Sequence, residues 1–394
     1  MKEFVTVSEA KSILKSQKIR GGSVHLSLQK SLGKFTASPV LAPMDVPSFD
    51  NSGMDGYAII WDEKGEGREV VEVIQAGAKP DFVLEKGKAV RIFTGAPVPE
   101  GADTVIPQEE IVRTDKMIFF NAQKFFRGAN VRKKGAQCKV GWEAVPAGTK
   151  ITPGTIGLLA SLGIREVAVF PSPKVSLILT GDEILDLGNE LLPGQIYNSN
   201  GPALESYFEM LGIHEVKIYK VKDEASEVTK VISEALENSD FLLLTGGISV
   251  GDYDFVKGSL EQNGVEQLFY KIRQRPGKPL FVGKRAEKLI FALPGNPASV
   301  LSCFSQYVKP CLLEWMGNPQ AWNGPSYLPI EKDFDKKIPM TFFLKAKIDS
   351  GKVQLLPGQE SFNLLPFGVA DGLVEIPQDS EHTEEGSLVA FYPW

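Results

Sequence analysis

Phe241–Leu244 is a short apolar run that leads into Thr245-Gly246-Gly247-Ile248-Ser249-Val250-Gly251-Asp252-Tyr253-Asp254. Glycine lets backbone N–H groups turn toward a ligand with no Cβ in the way. A helix is expected to follow, and its positive end adds to the field at the turn. Asp252 and Asp254 would repel a bare phosphate. They make sense where a divalent cation bridges carboxylate and phosphate. The chemistry this implies is a metal-assisted site for a phosphorylated ligand. The plainer alternative is an ordinary strand–turn–helix connection.

Other segments could contribute to the same site. Asp182-Glu183 follows the apolar run Val175–Leu179 and could ligate Mg²⁺, act as a base, or simply cap the next element. Tyr197-Asn198-Ser199-Asn200-Gly201-Pro202 gathers short polar donors before a helical stretch. Lys271-Ile272-Arg273-Gln274-Arg275-Pro276-Gly277-Lys278-Pro279 is the one concentrated basic stretch. Alternation puts Lys271, Arg273 and Arg275 on one side of a strand, and the Pro-Gly turn aims Arg275 and Lys278 at a defined place. In an acidic protein this is the natural oxyanion clamp, although such runs usually form a solvated face. In the first half, Asp50–Ala58 and Arg91–Asp103 are polar Gly/Pro turns that could equally be structural loops.

The elements that position these groups follow from the pattern. Thr6-Val7-Ser8-Glu9 predicts a capping box and a helix to about Lys15. From Val40 to Ile151, short β-prone runs such as Tyr57–Trp61, Val70–Ile74 and Met117–Phe120 alternate with Gly/Pro turns. A helix from Pro153 to about Leu162 and a strand over Glu166–Phe170 follow, then Pro171-Ser172-Pro173 as a linker. Val175–Leu179, Phe241–Leu244 and Leu289–Leu293 suit parallel strands buried on both faces. Helices are expected over about Ala203–Leu211, Glu224–Leu236 and Pro297–Trp315, the last with Asn296 as N-cap and Pro297 as first residue. Each of the three strands ends in a Gly turn, and ligands of open α/β sheets bind beyond such ends. From about residue 326 to 394 strands and turns return, as in Thr341–Ile348 and Leu373–Ile376, which predicts a small β-barrel.

Composition narrows the class. The 394 residues leave room for two to four domains. Apolar content of 43% with 23% charged residues reads as soluble and globular, and a net charge of −6 argues against a broad nucleic-acid surface. No apolar run approaches the ~20 residues needed to cross a bilayer. The N-terminus lacks the apolar core of a signal peptide. Cys138, Cys303 and Cys311 form no C-x-x-C pair, so reduced thiols in a cytoplasm are the simplest reading. The three histidines, His25, His214 and His382, offer little for a zinc site.

Taken together the motifs resemble the MoeA family, the molybdopterin molybdenumtransferases, related to the gephyrin E domain. The matching segments are DNSGMDGYA at 50–58, RIFTGAPVPEGADTVIPQE at 91–109, TGDEIL at 180–185, IYNSNGPAL at 196–204, TGGISVGDYDF at 245–255, RPGKP at 275–279 and LPGNPAS at 293–299. The resemblance implies a multidomain α/β plus β fold and a subunit that dimerises. Residues 1–49 and 141–173 would form a discontinuous linking domain, 50–140 an inserted β-rich module, 174–325 a three-layer α/β domain like that of the molybdopterin adenylyltransferases (MogA-like), and 326–394 the C-terminal β-barrel. Family members insert molybdate into adenylylated molybdopterin with Mg²⁺ and release AMP, which implies the same substrates and a cytoplasmic homodimer here. Partners would be the molybdopterin adenylyltransferase and molybdoenzyme chaperones, with no nucleic acid and no membrane.

Carried over by position, Asp55 and Thr94 would approach the cleft from the β-module, that of the partner subunit. Glu183, Asp223 and Asp254 match acidic positions tied to catalysis, with Glu183 and Asp254 as the Mg²⁺ ligands. Asn198, Ser199 and Asn200 with Gly246, Gly247, Ser249, Gly251 and Asp252 would hold the pterin nucleotide. Lys271, Arg275 and Lys278 would lie near molybdate, Pro294 and Pro297 would shape the last turn, and Ser299 and Ser361 would donate to the oxyanion. Three positions depart from the pattern. Gln137 stands where an acid is frequent, Lys345 where the family has an arginine, and Arg275 where lysine is common. The rival readings are an adenylyltransferase acting one step earlier, a non-catalytic gephyrin-like scaffold, and a paralogue that handles tungstate.

Overall fold

The structure is a computed structural model, and it describes residues 2–64, 67–248 and 255–394. Two compact units emerge: Met1–His25 with Gly33–Ala37 and Ala168–Trp394, and Leu26–Leu32 with Ser38–Val167.

The first unit is built on a seven-stranded sheet in the order 2–5, 266–272, 281–285, 288–293, 241–245, 175–180, 216–221. The last four strands run parallel to one another. Val175–Thr180 and Phe241–Thr245 are buried along their whole length. Their side chains alternate between two cores. Leu177, Leu243 and Phe291 face one side, with Leu14, Leu204, Phe208 and Val300 from the helices Val7–Ser16, Asn200–Met210 and Pro297–Cys303. Ile178, Leu244 and Ile290 face the other, with Val228, Ile232, Val256 and Leu260 from Ala225–Asn238 and Phe255–Gln262. This is the expected three-layer α/β arrangement, and the continuous apolar runs are explained by cover on both faces.

Some elements go beyond the sequence expectation, and the expected capping box is met. Lys2–Val5 adds an edge strand parallel to Glu266–Ile272. The capping box is present: Thr6 Oγ1 accepts from Glu9 N at 3.2 Å and Thr6 N donates to the Glu9 carboxylate at 2.8 Å. Glu266–Ile272 and Phe281–Arg285 form antiparallel pairs inside the sheet. The helix expected over 297–315 contains a π turn at Phe304–Val308. Pro310 follows that turn, and a proline cannot donate to the carbonyl four residues back, so the wider turn relieves the mismatch.

Residues 326–393 complete the unit with a sheet ordered 274–275, 341–349, 372–376, 388–393, 326–329, in which 352–355 also pairs with 341–349. A parallel bridge between Ile330 and Val353 closes it into a small barrel around Leu344, Val374, Ile376 and Phe391. Gln274–Arg275 pairs in parallel with Thr341–Phe342, so the basic segment belongs to both sheets of this unit.

The second unit carries a six-stranded sheet in the order 104–107, 56–59, 88–92, 68–74, 117–119, 112–114. Tyr57 and Ile59 face one core while Ala58 faces the other, the period-two signature of a sheet covered on both sides.

Two substitutions test this account. Leu177→Ala, in a fully buried strand, should lower stability by about 3 kcal/mol. Thr6→Ala should cost about 1 kcal/mol by removing the cap. Equilibrium urea unfolding reads both.

Candidate functional site

The parallel strands align their carboxyl ends. In register, Leu293 pairs with Thr245, Thr245 with Leu179, and Thr180 with Val221. The residues that follow are Pro294, Gly246, Gly181 and Lys222, so four turns emerge side by side. Glu266–Ile272 points the same way, because two antiparallel steps separate it from Lys288–Leu293. Lys271 and the residues after it therefore lie at the same end, roughly 10 Å from the Leu293 end by strand spacing.

Thr180 is the centre of this edge. It is buried, and its Oγ1 donates to the Thr245 carbonyl at 3.5 Å. Gly246 has φ +88°, and a Cβ on it would stand 2.6 Å from the Thr180 carbonyl oxygen. Gly247 has φ +62°, and a Cβ there would lie 2.7 Å from Val256 Cγ2. Both positions thus require glycine for conformation and for space. Gly295 of the neighbouring turn comes close as well, with Gly246 Cα 3.7 Å from where its Cβ would be.

Polar side chains bind the turns together. Asn200 Nδ2 donates to the Gly295 carbonyl at 2.9 Å, tying the start of its helix to the Pro294–Pro297 turn. Asn198 Oδ1 accepts from Gly201 N at 2.9 Å, and Asn198 is nearly buried. Ser199 sits at the N-cap without a side-chain capping bond. Asn296 also occupies an N-cap, but its side chain does not cap the helix as expected. Its Nδ2 instead donates to Ser361 Oγ at 3.0 Å, and Ala298 N donates to Ser361 O at 3.1 Å. Ser299 is buried in the first turn of that helix.

Charge is divided across the edge. On one flank, burial raises the Asp223 carboxyl above the ordinary aspartate range; the Thr180 hydroxyl bonded to it opposes this, and the Glu183 and Asp182 carboxylates push it further up. Glu183 Oε2 lies 2.9 Å from where a Cβ on Gly181 would stand, so its carboxylate folds back over the turn. A cavity of about 240 Å³ opens here, lined by Gly181, Asp182, Asn198 and Lys222 among others. Larger hollows of about 450 and 550 Å³ lie beside Trp322 and around Tyr327, away from the strand ends. On the other flank, Lys271 is half-buried while Arg273, Arg275 and Lys278 are exposed, and Ile272 and Gln274 between them are buried, which is the expected alternation. Lys271 Nζ lies 4.7 Å from the Tyr270 ring centre and the Arg275 guanidinium 5.7 Å from that of Phe342. Among the described residues Lys271, Arg275 and Lys278 have no ion-pair partner.

Asp55 and Thr94 lie in the second unit and are joined there. Asp55 Oδ1 accepts from Thr94 N and from Thr94 Oγ1, each at 2.7 Å, and these bonds hold its carboxyl below the usual range. The two polar turns are laced by Ser52 N to Ala96 O at 2.9 Å and Gly95 N to Ser52 O at 2.8 Å. Ser249, Gly251, Asp252 and Asp254 lie outside the described residues.

The whole chain has known relatives. Residues 5–163 match the family described as "MoeA N-terminal region (domain I and II)", 177–314 "Probable molybdopterin binding domain", and 327–394 "MoeA C-terminal region (domain IV)". A molybdopterin molybdenumtransferase of Staphylococcus epidermidis is 32% identical, with 98% of this chain and 94% of the relative aligned. One from Staphylococcus aureus is 33% identical over the same shares. The crystal structure of a molybdopterin biosynthesis MoeA protein from Pyrococcus horikoshii superposes with a TM-score of 0.86 at 32% identity, covering 99% of both chains. This chain belongs to the MoeA family. It is a MoeA-type transferase, and the multidomain α/β plus β fold expected from its motifs is present. No described helix is long and apolar enough to cross a membrane.

Sequence reasoning passed over Thr180, Lys222 and the side-chain role of Asn296. A threonine at a strand end reads as β-propensity, and an asparagine before proline reads as a cap. Only the meeting of neighbouring turns reveals the other roles.

Two outcomes follow from this geometry. Gly246→Ala should lose about 2–3 kcal/mol of stability, through positive φ and contact with a backbone oxygen, and should cripple the site; chemical unfolding checks the first. The raised Asp223 carboxyl holds its proton to higher pH in the folded than in the unfolded chain. Stability from this group therefore falls as pH rises from the ordinary aspartate value through the raised one. Asp223→Asn should raise the thermal midpoint near neutral pH, with the gain vanishing in acid; melts between about pH 3 and 8 read this.

Proposed function

We propose that this transferase inserts molybdate into adenylylated molybdopterin with release of AMP, in a Mg²⁺-dependent reaction of molybdenum cofactor biosynthesis. The observation that carries the reading is one sheet edge with an acidic turn on one flank, a basic segment without an ion-pair partner among the described residues on the other, and glycine turns between them. The relatives' names supply the reaction class. A nucleotide and an oxyanion held side by side are what such a division of charge accommodates.

In this reading Asn198, Ser199, Asn200 and the turn from Gly246 through Asp252 hold the pterin nucleotide, with backbone N–H groups facing phosphate. Lys271, Arg275 and Lys278 bind molybdate, and Arg275 offers a planar fork where a lysine would offer a point charge. Pro294 and Pro297 fix the turn that presents Ser299, Asn296 and Ser361. Glu183, Asp223 and Asp254 form the acidic side, with Glu183 and Asp254 as metal ligands. Burial is the main cause of the raised Asp223 carboxyl, and the added push from Glu183 and Asp182 is one a bound cation would relieve. Among the described residues no three His, Cys, Asp or Glu groups form a ligand set, so the remaining ligands would come from Asp254, phosphate oxygens or water. When bound, Mg²⁺ supplies charge neutralisation at the bridging phosphate. The chain's own groups contribute alignment of the oxyanion with the dithiolene and exclusion of competing poses, which can account for most of such an acceleration.

Asp55 and Thr94 are proposed to serve the cleft of a second subunit. A homodimer is part of the same proposal, as the resemblance implies.

Purified protein incubated with adenylylated molybdopterin, molybdate and Mg²⁺ should release AMP only when molybdate is present. AMP release independent of molybdate, or none, would sink the reading. Asp254→Ala and Lys278→Ala should each lower turnover by ~10²–10³. Consumption of ATP with unmodified molybdopterin would favour the adenylyltransferase instead.

A further inference from the structure

One loop of the C-terminal barrel is folded around a buried ammonium. Lys345, on the Thr341–Asp349 strand, is 1% exposed. Its Nζ donates to the carbonyls of Gly358 at 2.8 Å, Glu360 at 3.1 Å and Asn363 at 3.1 Å. An ammonium has three N–H donors, and here each has a backbone partner. The Lys345 backbone grips the same loop: its N–H donates to Gln359 Oε1 at 3.0 Å, and its carbonyl accepts from Leu356 N at 3.0 Å and Gln359 Nε2 at 2.9 Å. The Phe367 ring centre lies 5.4 Å from Nζ. Gly358 has φ +78°, and a Cβ on it would stand 2.5 Å from Asn363 Nδ2. The loop therefore has little freedom to take another shape around the charge.

The tip of this loop is Ser361, which leaves the barrel to meet Asn296 and Ala298 at the strand-end turns. Two hydrogen-bonded steps thus separate the buried ammonium from the cleft.

We propose that Lys345 is a positioning residue for the transferase site: its charge holds the loop Leu356–Asn363 in the shape that presents Ser361 to Asn296 and to the first turn of the Pro297–Cys303 helix. The ammonium does not itself reach the oxyanion, because all three donors are spent inside the fold. Removing it would leave the Gly358 and Asn363 carbonyls without a described partner, while the Glu360 carbonyl would keep only its 3.2 Å bond from Asn363 N. A guanidinium from the same strand position is planar and longer, so its donors would not fall at the three positions the ammonium's occupy. The inference rests on the reading that Ser361 serves the cleft.

The test joins hydrogen exchange with kinetics on the full chain. Lys345→Met and Lys345→Arg should both raise amide exchange within residues 359–364 by about tenfold, while the Leu373–Ile376 segment stays protected. In the molybdate-dependent release of AMP, the KM for molybdate should rise by about tenfold, with a smaller change in kcat. Gly358→Ala disturbs the cage while keeping the ammonium, so it carries the test if a lysine variant fails to fold. Ser361→Ala should raise the KM with no change in exchange. Unchanged loop exchange in the lysine variants, or native behaviour of Lys345→Arg, would overturn the cage. Raised exchange with native kinetics would overturn the positioning role. Native kinetics in Ser361→Ala would overturn the reading of Ser361 and leave the cage standing.

Discussion

The cleft depends on one crowded crossing, where the turn after Phe241–Thr245 passes over Thr180. The Thr180 carbonyl stands where a Cβ on Gly246 would need to be, and the Thr180 hydroxyl lies between the Thr245 carbonyl and the Asp223 side chain, with one proton to share. Two parallel strands can end at the same height only if their turns diverge or interlock. Here they interlock, and glycine at 246 and 247 is the condition for it. The acidic turn, the glycine turn and the Pro294–Pro297 turn then share one edge, and the spacing between their functional groups follows from strand spacing.

The basic flank obeys a different constraint. Arg275 lies on a two-residue strand that pairs with the barrel, while Lys271 lies at the end of a strand in the α/β sheet. Gln274 between them is buried, donating to the Pro276 carbonyl at 2.9 Å and bonded to the Tyr307 hydroxyl. The cations are thus carried by a segment fixed from both sides, although the Arg275 side chain is exposed and that of Lys271 only half-buried. A backbone already fixed in this way reduces what must be ordered when an oxyanion arrives.

Much of this architecture was legible in the chain because burial writes its own period. Val175–Thr180 and Phe241–Thr245 are apolar throughout since both faces are covered, and Tyr57–Ile59 alternate between two cores. The motifs then placed the turns. What stayed hidden was interaction between turns. Glu266–Ile272 carries Glu266 and Lys271, so its charges masked a sheet strand. Lys2–Val5 is four residues long, too short to show a period. Asn296 sits at the expected cap but uses its side chain on Ser361, a partner 65 residues away that no local rule could reveal.

Lys345 shows how a departure from a family's pattern can be read physically. As a residue type, a lysine where the resemblance implies an arginine looks like the loss of a fork at an anion site. Its surroundings say otherwise, for a nearly fully buried ammonium bonded to three carbonyls is satisfied as it stands. The acids and bases at the strand ends differ in this respect. Asp223 is under electrostatic pressure from its neighbours, and Lys271, Arg275 and Lys278 have no described counter-ion. Groups whose charge the fold satisfies build the site, and groups whose charge it leaves unsatisfied are the ones a ligand can complete.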